Sequence, residues 1–97
     1  MPDNIAQFLT PLALAIWIMN DGGRVGSGLK LATNSFTFED CLRLVNVLYE
    51  KYGLKTSVQL AGVPNQYVIY ILSESMPILR QMVQPYIVSS MLYKIGE

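Results

Sequence analysis

The longest apolar stretch of this chain lies near its start, at residues 12–19. Thr10 and Pro11 precede it, and a threonine followed by proline is typical of a helix N-cap and first helical position. The stretch has no polar side, so we expect a helix that is buried all round. Gly22 and Gly23 predict its end.

Four shorter segments alternate between apolar and polar residues, as half-buried strands do. Glycines at positions 26 and 28 predict a turn between strands at residues 24–28 and 29–35. The turn region at residues 62–65 predicts a second hairpin, with strands at 54–60 and 66–72.

Apolar residues at helical spacing predict a second helix, which opens at a capping box on Thr37 and stops at Gly53. Ser75 is the expected cap of a third helix that runs to about Val83, and Pro85 ends it. The resulting order, helix, two strands, helix, two strands and helix, indicates one α+β domain over residues 1–97. Its helices cover one face of an antiparallel sheet and leave the other face open.

Composition narrows the possible chemistry. The 97 residues are 52% hydrophobic and 14% charged, so a domain this small is expected to have a large hydrophobic interface. The chain has no histidine, which excludes Ser-His triads and histidine metal sites. Cys41 is the only cysteine, and its apolar neighbours favour a buried small hydrophobe over a nucleophile.

Charge is unevenly distributed, although the net charge is zero. Apart from Asp21, every acidic residue lies in a terminus or in a segment that reads as helix, which leaves the predicted strands locally basic. This distribution favours a surface that binds a nucleic-acid duplex. The alternative is that strands simply disfavour Asp and Glu.

Alternation assigns strand side chains to a face of the sheet. Leucines 29, 31 and 60 are among the residues expected to point to the helices. Gln and Asn can pair with adenine edges in a major groove, Lys or Arg can pair with guanine, and Arg24 and Lys55 can equally hold phosphates. The expected DNA-binding set is Arg24, Lys30, Ala32, Asn34, Lys55, Ser57, Gln59, Gln66, Val68 and Tyr70.

Asp21 is an acid at the end of an apolar helix, where the helix dipole is negative. An ionised carboxylate at such a position calls for a cationic partner, and a divalent metal ion is the obvious candidate.

Residues 14–23 read LAIWIMNDGG and resemble the LAGLIDADG motif of homing endonucleases, in the variant L-A-x-W-x-M-x-D-G-G. The resemblance continues at residues 29–37 (LKLATNSFT), 82–87 (MVQPYI) and 90–94 (SMLYK). It implies the αββαββα fold, in which the curved sheet forms half of a saddle that grips DNA. It also implies a site-specific nuclease that hydrolyses double-stranded DNA with Mg²⁺ or another divalent cation such as Mn²⁺.

The resemblance further implies site roles. Asp21 is the metal-ligating acid, the backbone carbonyl of Asn20 assists it, and Lys94 supports catalysis by organising water or stabilising charge. Without the resemblance, the residues around Lys94 would indicate only a solvated lysine. The family often has a polar residue at the end of the third strand, where this chain has Ala61, so Gln59 is the expected catalytic substitute.

A single motif implies a second motif-bearing domain, supplied by a homodimer or by a separate half, because these blocks resemble the second half of two-motif enzymes. We expect the interface at or near Leu14, Ile16, Trp17 and Ile18. Two other functions stay open: an intron RNA maturase, and a catalytically silent DNA-binding half. An origin in a mobile intron implies an organelle, mitochondrion or chloroplast, and otherwise an intracellular location.

Overall fold

The computed structural model describes residues 5–33 and 36–96. Helices and strands alternate in the order expected, after one additional short helix at the start. The helices are α1 (Ile5–Phe8), α2 (Pro11–Asp21), α3 (Phe38–Tyr52) and α4 (Met76–Val83). The strands are β1 (Gly22–Val25), β2 (Gly28–Ala32), β3 (Thr56–Leu60) and β4 (Tyr67–Ile71). Three 3₁₀ segments lie at Ser73–Ser75, Gln84–Tyr86 and Ser89–Ile95.

Two helix starts follow the local sequence. The Thr10 hydroxyl accepts a hydrogen bond from the backbone N–H of Ala13, and the Thr37 hydroxyl accepts one from Asp40, both at 3.1 Å. Each bond satisfies an N–H that the first helical turn leaves without a partner. Both predicted caps are therefore confirmed.

The predicted cap at Ser75 is wrong. Its side chain does not bond to the first turn of α4. Instead, the Ser75 hydroxyl accepts the backbone N–H of Lys55 at 2.8 Å, which ties the start of α4 to the residue before β3.

The four strands form one antiparallel sheet in the order β1-β2-β4-β3. The first hairpin is shifted relative to the prediction, because β1 starts at Gly22, directly where α2 ends. Only Gly26 and Ser27 connect β1 to β2, and Gly26 has φ +59°, as the first position of a II′ turn requires.

One face of the sheet carries the core. Leu29, Leu31, Ile69 and Ile71 are completely buried on that face, in agreement with the predicted alternation. Leu60 differs from the prediction: it is 70% exposed, because it is the last residue of the edge strand β3. The helical residues that complete this core are Leu14, Ala15, Ile18, Leu44, Leu48, Met76, Leu79, Val83 and Ile95.

Helix α2 is not buried all round, so that expectation is wrong for the single domain. Leu14, Ala15 and Ile18 face the core, whereas Leu12 and Ile16 are 48% and 46% exposed on the other side. The helix therefore has two apolar sides, of which one is left at the surface. No helix within the described ranges is long and apolar enough to cross a membrane.

Candidate functional site

Asp21 is the last residue of α2 and its side chain is exposed. Gly22 then turns the chain directly into β1, and a Cβ at Gly22 would lie 2.6 Å from the Ile18 carbonyl oxygen. Only glycine therefore fits this junction. Among residues 5–33 and 36–96, the Asp21 carboxylate has no hydrogen-bond or ion-pair partner, so both of its oxygens are available to a ligand.

Lys94 reaches the same end of α2 from the 3₁₀ segment Ser89–Ile95. Its ammonium group donates a hydrogen bond of 2.7 Å to the carbonyl oxygen of Met19, a contact across 75 positions of sequence. A cation at a helix C-terminus is favourable because the helix dipole is negative there. The structure thus brings Lys94 to the helix end that carries Asp21, rather than leaving it solvated at the end of the chain.

A cavity of about 290 Å³ opens beside Asp21, and Trp17, Ala32, Thr33 and Phe36 contribute to its lining. The Trp17 indole N–H donates to the Ala32 carbonyl at 2.9 Å, which attaches α2 to the end of β2. This contact was not predicted, because nothing in the local pattern around either residue indicates it.

Thr33 is a residue of this site that the sequence analysis did not identify. It is buried next to the cavity, where its hydroxyl donates to the Tyr67 carbonyl at 2.6 Å and accepts a weak bond from the Cys41 thiol at 3.5 Å. Its only signal in the sequence is a polar residue directly after an alternating strand. Cys41 is buried, as predicted.

Gln59 is not brought to Asp21. The register Gly22–Leu31 places Asp21 opposite Ala32 at one edge of the sheet, whereas Gln59 lies on the far strand β3. Three inter-strand steps of about 4.8 Å separate the two backbones by about 14 Å. The Gln59 amide instead donates to the Ser57 hydroxyl at 3.4 Å.

Among the residues that the structure describes, Asp21 supplies the one carboxylate at this end of α2. Within the described part of the chain, no three His, Cys, Asp or Glu side chains group closely enough to hold a metal ion. Asn20 is exposed beside Asp21. A hard cation such as Mg²⁺ takes oxygen ligands of the kind present here, and it is commonly held by one or two carboxylates together with phosphate oxygens. The described residues of one domain supply one such carboxylate.

The open face of the sheet carries most of the side chains predicted to meet DNA. The strand register aligns them in two rows, because directly paired residues share a face. One row comprises Lys30, Tyr70 and Ser57, and the next comprises Ala32, Val68 and Gln59. Asn34 lies outside the described residues.

Two further members of the predicted set lie at the margins of this face. Gln66 is exposed before β4. Lys55 is exposed before β3 and lies 3.7 Å from the Glu74 carboxylate, with both side chains more than half exposed. Such an exposed ion pair is weak, so Lys55 can exchange its partner for a phosphate.

Arg24 is separated from the other predicted DNA-binding residues. It pairs with Leu29, so its side chain starts from the helix-covered face of β1, the edge strand. Its guanidinium donates to the Gly26 carbonyl at 3.0 Å and lies against Gly96.

The expected interface residues divide into two pairs. Leu14 and Ile18 are completely buried in the domain's own core, whereas Ile16 is exposed and Trp17 is half-buried. The surface that α2 leaves open consists of Leu12, Ile16 and Asn20, spaced four residues apart, and we call it the motif-helix stripe.

Comparison with known proteins adds independent information. Residues 1–79 match the family model described as the LAGLIDADG DNA endonuclease family. Cytochrome b mRNA maturase bI2 of Debaryomyces hansenii is 54% identical over 96 residues, covering 99% of this chain and 37% of the maturase. Intron-encoded endonuclease ai4 of Dictyostelium discoideum is 39% identical over 94 residues, covering 97% of this chain and 59% of that protein.

Among solved structures, the homing endonuclease I-WcaI bound to its DNA recognition sequence superposes with a TM-score of 0.87 at 31% identity. The superposition covers 98% of this chain and 44% of that one. The chain therefore spans less than two thirds of each of these three proteins.

Proposed function

We propose, from the premise that this chain belongs to the LAGLIDADG DNA endonuclease family, that it is one half of a site-specific homing endonuclease that hydrolyses double-stranded DNA. The observation that carries the proposal is the Lys94–Met19 contact of 2.7 Å. It sets an ammonium group at the helix end that presents the free Asp21 carboxylate, and that corner adjoins an open sheet face. The fold alone does not require this arrangement.

DNA binding is supported by the chemistry of the open face. Its two rows carry an ammonium group, a phenol, a hydroxyl and an amide, and no acidic residue. A twisted antiparallel ribbon fits a major groove, where such groups can bond to base edges. The related I-WcaI structure contains that enzyme bound to its DNA recognition sequence, which supports DNA binding by this chain.

A divalent cation, Mg²⁺ or Mn²⁺, would be held by the Asp21 carboxylate together with the backbone carbonyl of Asn20. When bound, the cation supplies an activated water and neutralises charge on the phosphate. Lys94 has three N–H donors, and Met19 accepts one of them, so the other two can orient a water or a phosphate oxygen.

The second carboxylate would come from another motif-bearing domain that packs on the motif-helix stripe. Leu12 and Ile16 are half exposed on a helix whose opposite side is completely buried. A second copy of the chain or a separate half would cover them and set two copies of the Asp21 position side by side. Ile16 and Trp17 are the members of the predicted interface set that are accessible for this contact.

Asp21→Asn tests the catalytic assignment. The purified protein is incubated with Mg²⁺ and a randomised DNA library, and the cut ends are sequenced. We expect the variant to bind the selected duplex and to lose cleavage, whereas Asp40→Asn, on α3, serves as the control and retains both. Cleavage by Asp21→Asn would contradict the assignment. A wild-type chain that binds without cutting, and that cuts when a second half is added, would identify a silent half.

Ile16→Glu tests the interface by sedimentation at micromolar concentration. We expect a dimer for the wild type and a folded monomer for Ile16→Glu. Ile78→Glu is the matched control, because Ile78 on α4 is 44% exposed, close to the 46% of Ile16. A monomeric wild type would exclude the homodimer, and equal effects of both variants would refute the assigned surface.

An intron RNA maturase is the second candidate function, and the 54% identity to a cytochrome b mRNA maturase favours it. A splicing assay on an intron RNA, run beside the plasmid-cleavage assay, separates the two activities. The intron-encoded and cytochrome b relatives also support an organellar origin, of which the mitochondrion is the one we propose.

A further inference from the structure

The open face of the sheet contains an apolar residue that is buried without belonging to the core. Val68 is only 8% exposed, although its pairing with Ala32 and Gln59 places it on the face away from the helices. It lies in a concavity of about 440 Å³ whose lining also includes Lys30, Gln59 and Tyr70. We call this concavity, with Val68 as its floor, the sheet socket.

The walls of the sheet socket combine the long polar side chains of Lys30, Gln59 and Tyr70 with apolar residues at its rim, which are Val25, Leu60 and Ala61. Tyr70 leans across β2 towards Gly28, where any Cβ would overlap with its phenol. Gly28 thus makes room for the Tyr70 ring to lie along the sheet instead of standing over Val68. On the other side, Gln59 is exposed and lies directly opposite Val68 on the neighbouring strand.

The apolar side chain of Val68 and the neighbouring amide of Gln59 match the groups that an A·T pair presents in the major groove. In the major groove, an A·T pair presents the thymine 5-methyl group together with the N6 donor and N7 acceptor of adenine. Apolar side chains contact that methyl group, and Gln can bond to both adenine groups. The other bases present no methyl group there, and cytosine and guanine present different donors and acceptors.

We propose that the sheet socket is a thymine-specific reading site, in which Val68 contacts the 5-methyl group and Gln59 bonds to the paired adenine. This inference rests on the proposed binding of duplex DNA by the open face and names the base that one position of that face selects. Gln59 is thereby a specificity residue, which agrees with its separation of about 14 Å, or three strand spacings, from Asp21.

Replacing thymidine by deoxyuridine removes the methyl group and nothing else, so it isolates this contact. The full chain selects duplexes from a randomised pool, and each thymidine of the selected duplex is then exchanged singly for deoxyuridine. We expect about fourfold weaker binding at one or two positions, the effect of one buried methyl group. Val68→Ala should abolish that sensitivity, so that both duplexes bind equally.

Gln66→Ala is the control, because Gln66 is exposed before β4 and does not line the sheet socket. We expect this control variant to keep the fourfold preference for the thymidine duplex over the deoxyuridine duplex, even if its overall affinity for DNA changes. Gln59→Ala should instead broaden base preference at the pair that contains the sensitive thymine. Circular dichroism melting of each variant verifies that it is folded.

The outcomes separate this inference from the proposed function. A wild-type chain that binds selected duplexes equally well with thymidine or deoxyuridine at every position would overturn the thymine site and leave DNA binding intact. A fourfold preference for thymidine over deoxyuridine that persists in Val68→Ala would also overturn the thymine site. A wild-type chain that binds no duplex of the pool would overturn both proposals.

Discussion

Replacing Gly28 by alanine is expected to lower the free energy of unfolding by about 1–3 kcal/mol, the cost of forcing extra volume into a packed site. The reason is a steric clash between the added Cβ and the backbone of the neighbouring strand. A Cβ at Gly28 would lie 2.6 Å from the carbonyl oxygen of Ile71 and would overlap with the Tyr70 phenol. The phenol can rotate away, whereas the carbonyl belongs to strand β4 and can move only with the sheet.

Gly23→Ala is the matched control. Gly23 lies in the same hairpin and on the same face of the sheet, but a Cβ there would meet open space. Neither glycine has a positive φ that an alanine would strain. We therefore expect Gly23→Ala to be neutral or to stabilise the fold by about 0.4–1 kcal/mol, through the lower entropy of its unfolded chain.

Urea denaturation followed by circular dichroism measures both variants. For a domain of this size, each kcal/mol also shifts the melting temperature by about 4–8 °C, which provides a second readout. Equal stability of Gly28→Ala and wild type would refute the steric argument. An equal loss in Gly23→Ala would show instead that glycine is needed throughout the hairpin for its backbone freedom.

Three further substitutions test single contacts by urea denaturation. Lys94→Met removes the charged hydrogen bond to Met19 and should cost about 1.5–3 kcal/mol; an unchanged midpoint would show that the bond is not formed in solution. Ser75→Ala leaves the Lys55 N–H without its acceptor and should cost about 1–3 kcal/mol, unlike the few tenths expected if the hydroxyl were solvated. Thr56→Val should stabilise the fold by about 1 kcal/mol, because the Thr56 hydroxyl is buried with no hydrogen-bond partner among the described residues; a loss of stability would mean that the hydroxyl is satisfied.

Features set by neighbouring residues could be predicted from the sequence. The caps at Thr10 and Thr37 each involve a bond to a residue three positions on, so the local sequence contains both partners. Alternation likewise gave the core face of the central strands, because Leu29 and Leu31 repeat with a period of two.

Features set by distant contacts could not be predicted in this way. Ser75 bonds to Lys55, 20 positions away, rather than to its own helix. The strand order puts Gln59 on the far edge from Asp21, and alternation contains no information about order. Arg24 shows the effect of register: β1 begins at Gly22, which puts Arg24 on the face of Leu29, and a shift of one residue would reverse it. Lys94 was placed near Asp21 only by family resemblance.

The bond from the Trp17 indole to the Ala32 carbonyl has a practical consequence. Trp17 is the only tryptophan of the chain, and it projects half-buried from α2 towards the end of β2 and the cavity beside Asp21. The protein therefore contains a built-in fluorophore at a single place, and its emission reports on the polarity of that corner. Fluorescence of the unmodified chain can therefore test both the proposed docking of a second domain and the proposed binding of a cation, without a dye.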